Sequence, residues 1–367
     1  MRPLVDPEFW RGRRVLLTGH TGFKGAWLTL WLRSLGARLT GFADEIPTTP
    51  SLYELARAAD GIRDVRADVR DRAAVLDAFG AADPEIVIHM AAQPFVRRSF
   101  ADPHGTYETN VMGTVNVLEA VRATASVRVA VVVTSDKCYA NDPARAPRAF
   151  VESDRMGGHD PYSSSKGCAE LVTDAYRSSF FARPPRSDGD DDVPRIASAR
   201  AGNVIGGGDW GEDRLIPDFM RGALDGRPIP VRNPEAVRPW QHVLNPLSGY
   251  LRLAEALHDA PRYEGGWNFG PAPGDVRTVR WIADRVTELW PGELRWELDR
   301  GQHPHEAHHL ALDSGKARAQ LGWAPTWDLD ETLRGIVSWY GALREGEDMR
   351  AATLQQIAAF EAATTSV

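Results

Sequence analysis

From residue 13 to about residue 204, short β-branched apolar runs alternate with longer segments whose apolar residues recur three and four apart. A buried parallel strand reads as a continuous apolar run and an amphipathic helix as a 3.6-residue stripe. The alternation therefore predicts strands at 14–17, 38–42, 62–67, 86–89, 128–134 and 195–199, joined by helices at 25–35, 71–79, 105–123 and 162–181. The fold class it implies is α/β, a doubly wound parallel sheet. Beyond Gly202 the pattern changes to Pro-, Gly- and Trp-rich connections around shorter helices near 214–224, 243–257 and 276–289, which suggests a smaller lobe packed on the first. The expected division is 1–204, then 205–345 interleaved with it in space, then a helical tail at 346–367; two helices are expected within 330–363. The Pro/Gly/Asp-rich stretch 183–194 reads as a solvated loop.

Composition narrows the class. No apolar run approaches the roughly 18 residues of a membrane-spanning helix, and the first thirty residues hold no signal-peptide core, so a cytoplasmic protein away from membranes is expected. Lys and Arg number 43 against 50 Asp and Glu, a net charge of −7 that argues against bulk nucleic acid as a partner. The two cysteines, Cys138 and Cys168, form no metal-ligand spacing and suggest neither a disulfide scaffold nor a structural zinc. Tryptophan is abundant, at 12.

Gly19, Gly22 and Gly25 fall between the first strand and the first helix. In that position the first allows a tight turn, the second lets backbone N–H groups approach a pyrophosphate, and the third lets helix pack on strand. Asp44, nineteen residues after Gly25, stands close to where a dinucleotide site places its ribose carboxylate. The spacing of three and three resembles the extended branch of the short-chain dehydrogenase/reductase superfamily, which implies a Rossmann-type domain binding NAD. Asp68 and Val69 then resemble the adenine-contacting pair, with a helix N-cap as the competing role of Asp68. His89-Met-Ala-Ala-Gln93 resembles the segment beside the cofactor. Thr109-Asn110-Val111 resembles a motif whose asparagine either contacts the ligand or makes a structural bond.

Tyr162 and Lys166 stand four apart, one above the other on a helix face, where an ammonium favours a phenolate and can hold a nicotinamide ribose. Ser135, at the end of the fifth strand, is expected to hydrogen-bond the reacting sugar oxygen. Ser135-Asp136-Lys137 departs from the Thr-Asp-Glu of other nucleotide-sugar 4,6-dehydratases. Thr134-Ser-Asp-Lys-Cys-Tyr139 resembles the CDP-glucose 4,6-dehydratase family in particular. So do His20-Thr-Gly-Phe-Lys-Gly-Ala-Trp27, Ala92-Gln-Pro-Phe-Val-Arg97, Gly157-Gly-His-Asp-Pro-Tyr162, Ala201-Gly-Asn-Val-Ile-Gly-Gly-Gly-Asp-Trp210, Arg238-Pro-Trp-Gln-His-Val243 and Trp267-Asn-Phe-Gly270. The resemblance implies a hydro-lyase that binds NAD through Gly19, Thr21, Gly22, Phe23, Lys24, Gly25, Asp44, Asp68, Val69, Ala91, Ala92, Gln93, Asn110, Tyr162 and Lys166. It implies transient C4 oxidation started by Tyr162, with Asp136 as acid and Lys137 as base in the loss of water. A counter-charge to Asp136 or a sugar hydrogen-bond donor is the alternative role of Lys137.

A sugar nucleotide brings two phosphate charges, for which Arg guanidinium groups suit bidentate contact. Arg238 and Asn203 match the family's phosphate positions; Arg232, Arg97, Gln93 and Arg214 complete the expected substrate set, the last with a surface helix charge as its alternative. Trp210, Trp240 and Trp267 are expected to shape the sugar-nucleotide lobe or pack in the core. The cluster His303 to His309 does not make a zinc-protease spacing, and no metal is expected; residues 310–313 read as a strand. A homodimer through the helices bearing Asn110 and Tyr162 is implied by the family. The competing functions are a nucleotide-sugar 4-epimerase, a dehydratase acting on another nucleotide-hexose, and a catalytically silent dinucleotide sensor.

Overall fold

The computed structural model describes residues 3–141, 148–182, 193–301 and 310–364. Strands β1 (Arg14–Thr18), β2 (Arg38–Ala43), β3 (Arg63–Arg66), β4 (Ile86–His89), β5 (Val129–Val133), β6 (Arg195–Arg200) and β7 (Gly265–Asn268) form one parallel sheet in the order β7-β6-β5-β4-β1-β2-β3. The order reverses between β1 and β4, and the crevice beyond the strand ends there is where such sheets take ligands.

Helix α1 (Phe23–Ser34) follows β1; α2 (Arg72–Ala82), α3 (Gly113–Ala123) and α4 (Pro161–Phe180) follow β3, β4 and β5. Phe79, Val117, Val121 and Phe181 pack with Leu16 and Val87 on one face of the sheet. The other face is covered by α1, by α5 (Leu244–Asp259) and by α6 (Leu329–Arg344) and α7 (Met349–Thr364) of the tail. All twelve tryptophans lie in or against that second core. Burial of large aromatic area on one face is their common role. Trp267 is fully buried and donates its indole N–H to the Tyr263 carbonyl at 2.8 Å, so it packs the core rather than the sugar lobe.

The predicted elements are present, with bounds moved by a few residues. The expected helix 105–123 is divided into Pro103–Tyr107, a π-helical turn Glu108–Met112 and α3. Residues 276–278 pair with Val237–Pro239 as a strand before the helix Val279–Leu289 begins. The seventh strand comes from 265–268, so the sheet draws on residues beyond 204. Helix α7 packs back on α1, where Trp31 donates to Glu361 at 2.7 Å and stacks edge-on against Phe360. The expected strand at 310–313 is reduced to one bridge, Phe150 with Leu312, because its neighbours find no ladder partner. The histidine cluster at 303–309 and most of the loop at 183–194 lie outside the described residues. No helix among those described is long and apolar enough to cross a membrane.

Candidate active site

A cavity of about 2030 Å³ opens over the carboxyl ends of the strands. Its floor is the glycine turn. Gly19 has φ +74, and a Cβ there would stand 2.7 Å from the Ala91 nitrogen. A Cβ on Gly25 would stand 2.1 Å from the Gly19 carbonyl oxygen, so helix α1 can close on the turn only with glycine. Thr21 donates to the Glu45 carbonyl at 2.7 Å and ties the turn to the end of β2. Gly22 caps α1 without any side-chain bond, which leaves the first-turn N–H groups of that helix to a ligand. An open turn, an uncapped helix start and glycines where a Cβ would collide together fit a dinucleotide pyrophosphate.

Asp44 and Asp68 stand on the wall at the far side of this turn. The N-cap of α2 is Asp71, which accepts from the Ala73 and Ala74 nitrogens at 2.9 and 3.1 Å. Asp68 is left to bind Arg70, at 2.7 Å from Nε, and that guanidinium holds its carboxyl below the ordinary range. The capping role considered for Asp68 is therefore excluded. Val69 packs on Gly113.

Phe23, Lys24, Ala91, Ala92, Gln93, Arg97, Ser135, Asp136, Lys137, Tyr162, Lys166, Asn203, Arg214, Arg232 and Arg238 all line the same cavity. Asn110 does not. Its carboxamide accepts from the Gln93 nitrogen at 2.8 Å and donates to the Gln93 carbonyl and to Ser165 Oγ at 3.1 and 2.8 Å, so it joins the β4 exit to helix α4. Ligand contact is thus corrected to a structural bond, the alternative role open from the sequence. His89 is pinned between Thr18 and Thr114, and burial pulls it down to about 3, so it is neutral.

At the end of β5 the chain makes a 3₁₀ turn, Asp136–Cys138. Ser135 donates to Asp136 Oδ1 at 3.0 Å, accepts from the Lys137 nitrogen at 3.2 Å, and stands in hydrogen-bonding reach of the Tyr162 phenol. Burial raises the Asp136 carboxyl, against the pull of Lys137, Ser135 and Arg238. Its Oδ2 is buried without a partner, and a Cβ on Gly202 would stand 1.9 Å from it. The result is a buried carboxyl, raised by desolvation, whose second oxygen has no partner among the described residues. Lys137 Nζ lies 5.9 Å from the centre of the Tyr162 ring.

Burial pushes Tyr162 up to about 12, with Ser135 opposing, and pulls Lys166 down to about 8, with Cys138 and Glu170 opposing. Desolvation thus outweighs the ammonium effect expected from the i, i+4 spacing. Lys24 hydrogen-bonds Tyr250 at 3.0 Å; burial first, then Lys166 and Arg214, pull it down to about 7.

Arg97 and Arg232 reach the same carboxylate oxygen of Asp213, at 3.1 and 3.2 Å. Arg214 pairs with Asp209 at 3.2 Å and lies 5.2 Å from the Phe95 ring centre. Arg238 is buried beside Asp136. Asn203 adopts φ +42 at the cavity wall, where the backbone turns after β6. The acids Asp209 and Asp213 went unnoticed in the sequence because they lie in a loop where nothing marks a partner.

Residues 15–269 match the NAD dependent epimerase/dehydratase family. The chain is 49% identical over 99% of its length to the CDP-glucose 4,6-dehydratase of Salmonella typhimurium, all of which is covered. It resembles the solved UDP-glucose 4-epimerase of Thermus thermophilus in complex with NAD, with TM-score 0.73 and 26% identity over 89% of this chain and 99% of that one. A UDP-glucose 4-epimerase from Stenotrophomonas maltophila shares the fold, with TM-score 0.76 and 21% identity over 91% of this chain and 99% of the other.

Proposed function

The chain belongs to the NAD dependent epimerase/dehydratase family, and from that premise we propose that it is an NAD-dependent CDP-glucose 4,6-dehydratase, converting CDP-D-glucose to CDP-4-dehydro-6-deoxy-D-glucose and water. The observation that carries the reading is Asp136, a buried acid with one free oxygen beside Ser135 and Tyr162. A 4-epimerase needs the serine and tyrosine but no second acid. A silent sensor needs none of the three.

NAD, when bound, supplies the acceptor and later the donor of the hydride. The protein's part is to move protons. Ser135 orients the C4 hydroxyl and Tyr162 takes its proton, with Lys166 holding the ribose end of the site. The C4 ketone acidifies C5–H, which lets Lys137 remove that proton while Asp136 protonates the departing C6 hydroxyl. Arg238, Asn203, Arg232, Arg214, Arg97 and Gln93 bind the nucleotide diphosphate. Gly19, Thr21, Gly22, Phe23, Lys24, Gly25, Asp44, Asp68, Val69, Ala91 and Ala92 cradle the cofactor. Turnover of CDP-, TDP-, UDP- and GDP-glucose, with products weighed for loss of water, tests the reading. Dehydration of CDP-glucose is expected; turnover of another nucleotide sugar in preference to it, or none at all, overturns the assignment.

The enzyme is further proposed to be a cytoplasmic homodimer. Two free cysteines suit a reducing compartment. Tyr107, Met112 and Leu171 are large, apolar and exposed, the first two on the helical segment bearing Asn110 and the third on helix α4, the two regions the resemblance pairs across a two-fold axis. Sedimentation at micromolar concentration is expected to give twice the chain mass; a monomer mass overturns it.

A further inference from the structure

The catalytic groups come from two separate pieces of chain. Tyr162 and Lys166 ride on helix α4, whereas Ser135, Asp136 and Lys137 belong to the end of β5 and its 3₁₀ turn. Proton transfer requires these pieces to hold a fixed separation, and a misplacement of about 1 Å can cost on the order of 100-fold in rate. We propose that Glu170 and Arg200 form the positioning pair that sets this separation.

Glu170 lies on α4, four residues after Lys166, and is buried. One carboxylate oxygen accepts from the Thr134 hydroxyl, on the residue immediately before Ser135. The other accepts from Ser198 Oγ at 2.6 Å and from Arg200 Nη2 at 2.7 Å, both on β6. A single carboxylate thus joins the tyrosine helix to two adjacent strands.

Arg200 carries the link onward. Its Nη1 donates to the Tyr139 hydroxyl at 2.7 Å and to the Glu152 carbonyl at 3.1 Å, and its guanidinium carbon lies 5.1 Å from the Tyr139 ring centre. Tyr139 closes the turn that bears Asp136 and Lys137, and donates in turn to Asn268 Oδ1 at 2.7 Å on β7. Gly266 on β7 leaves room for the guanidinium, since a Cβ there would stand 2.3 Å from Nη2. Both halves of the site are therefore gripped by one ion pair that itself lies behind the cavity wall; neither Glu170 nor Arg200 lines it.

Burial of an ion pair is by itself weak evidence of a stabilising role. Replacing a buried pair by apolar residues of similar volume is often neutral or stabilising, whereas removing one partner leaves an uncompensated charge. That asymmetry separates positioning from mere packing. The inference rests on the dehydratase reading, so wild-type turnover of CDP-glucose is the control. Glu170→Gln is expected to lower kcat ten- to hundredfold, on the order of the misplacement cost above, with KM within about twofold because the phosphate-binding arginines are untouched. Glu170→Met combined with Arg200→Met is expected to recover the melting temperature without recovering kcat. If wild type turns over and the double variant has wild-type kcat, the pair is structural only and the inference fails. If KM rises while kcat holds, the inference fails also. If wild type does not dehydrate CDP-glucose, the functional reading fails first.

Discussion

Tyr162→Phe is expected to lower kcat for CDP-glucose about a thousandfold while leaving cofactor and substrate affinity within a few-fold of wild type, since removal of a proton-transfer group costs on the order of 10²–10⁴. The ring packs without its hydroxyl: Tyr162 is buried and its backbone N–H donates to Ser99 Oγ at 3.2 Å, contacts that phenylalanine keeps. What the substitution removes is the hydroxyl beside Ser135 that, on the proposed mechanism, takes the proton from a sugar hydroxyl held by that serine. In the structure the phenol stands at about 12, raised by burial and by Asp136 and lowered by Ser135. It is therefore protonated at neutral pH until positive charge is added beside it. The bound nicotinamide would be such a charge. Steady-state kinetics with mass analysis of the product checks the expectation; a kcat within tenfold of wild type would remove Tyr162 from the base role.

The sheet was legible because buried parallel strands and amphipathic helices write different periods into the sequence. All six predicted strands match observed ones to within one residue at each end, and that at 86–89 coincides with β4. β7 escaped because four residues, two of them glycine, carry no period; its glycine at 266 serves the Arg200 guanidinium rather than the strand. The break at 108–112 escaped because a π turn leaves the apolar spacing of a helix nearly unchanged. The site's front was legible as motifs of residues close in sequence. Its back was not. Glu170 and Arg200 are 30 positions apart and meet only because α4 lies across β5 and β6, and an isolated Glu or Arg on an element looks like any solvated charge. Asn110 shows the converse: a motif residue whose polar atoms all turn away from the cavity.

Asp136→Asn is expected to divide the reaction at its middle, with overall kcat reduced at least a hundredfold although C4 oxidation continues, because only the elimination needs an acid at that position. Asparagine keeps the shape and can still accept from Ser135 through its carbonyl oxygen, so the serine and Tyr162 hold their places. It cannot give up a proton to the departing C6 hydroxyl. The wild-type carboxyl has a proton to give when it is in the acid form, toward which burial raises it, and its Oδ2 has no partner among the described residues to compete with the sugar. Any side chain at position 202 would collide with this carboxyl, so Gly202 leaves the acid its place. A raised carboxyl donates only while pH stays below its own value, so the elimination in wild type should weaken as pH rises and the oxidation should not weaken with it. In a single turnover with Asp136→Asn, the absorbance of reduced nicotinamide is expected to rise and persist, where wild type shows a rise that decays as the hydride returns. A transient that decays at the wild-type rate would show that the proton for the leaving hydroxyl comes from elsewhere. Absence of any rise would place Asp136 in the oxidation instead. Because Lys137 is untouched in this variant, C5 hydrogen exchange with solvent should continue from the accumulated ketone, and its loss in Lys137→Met would complete the division of labour between the two residues.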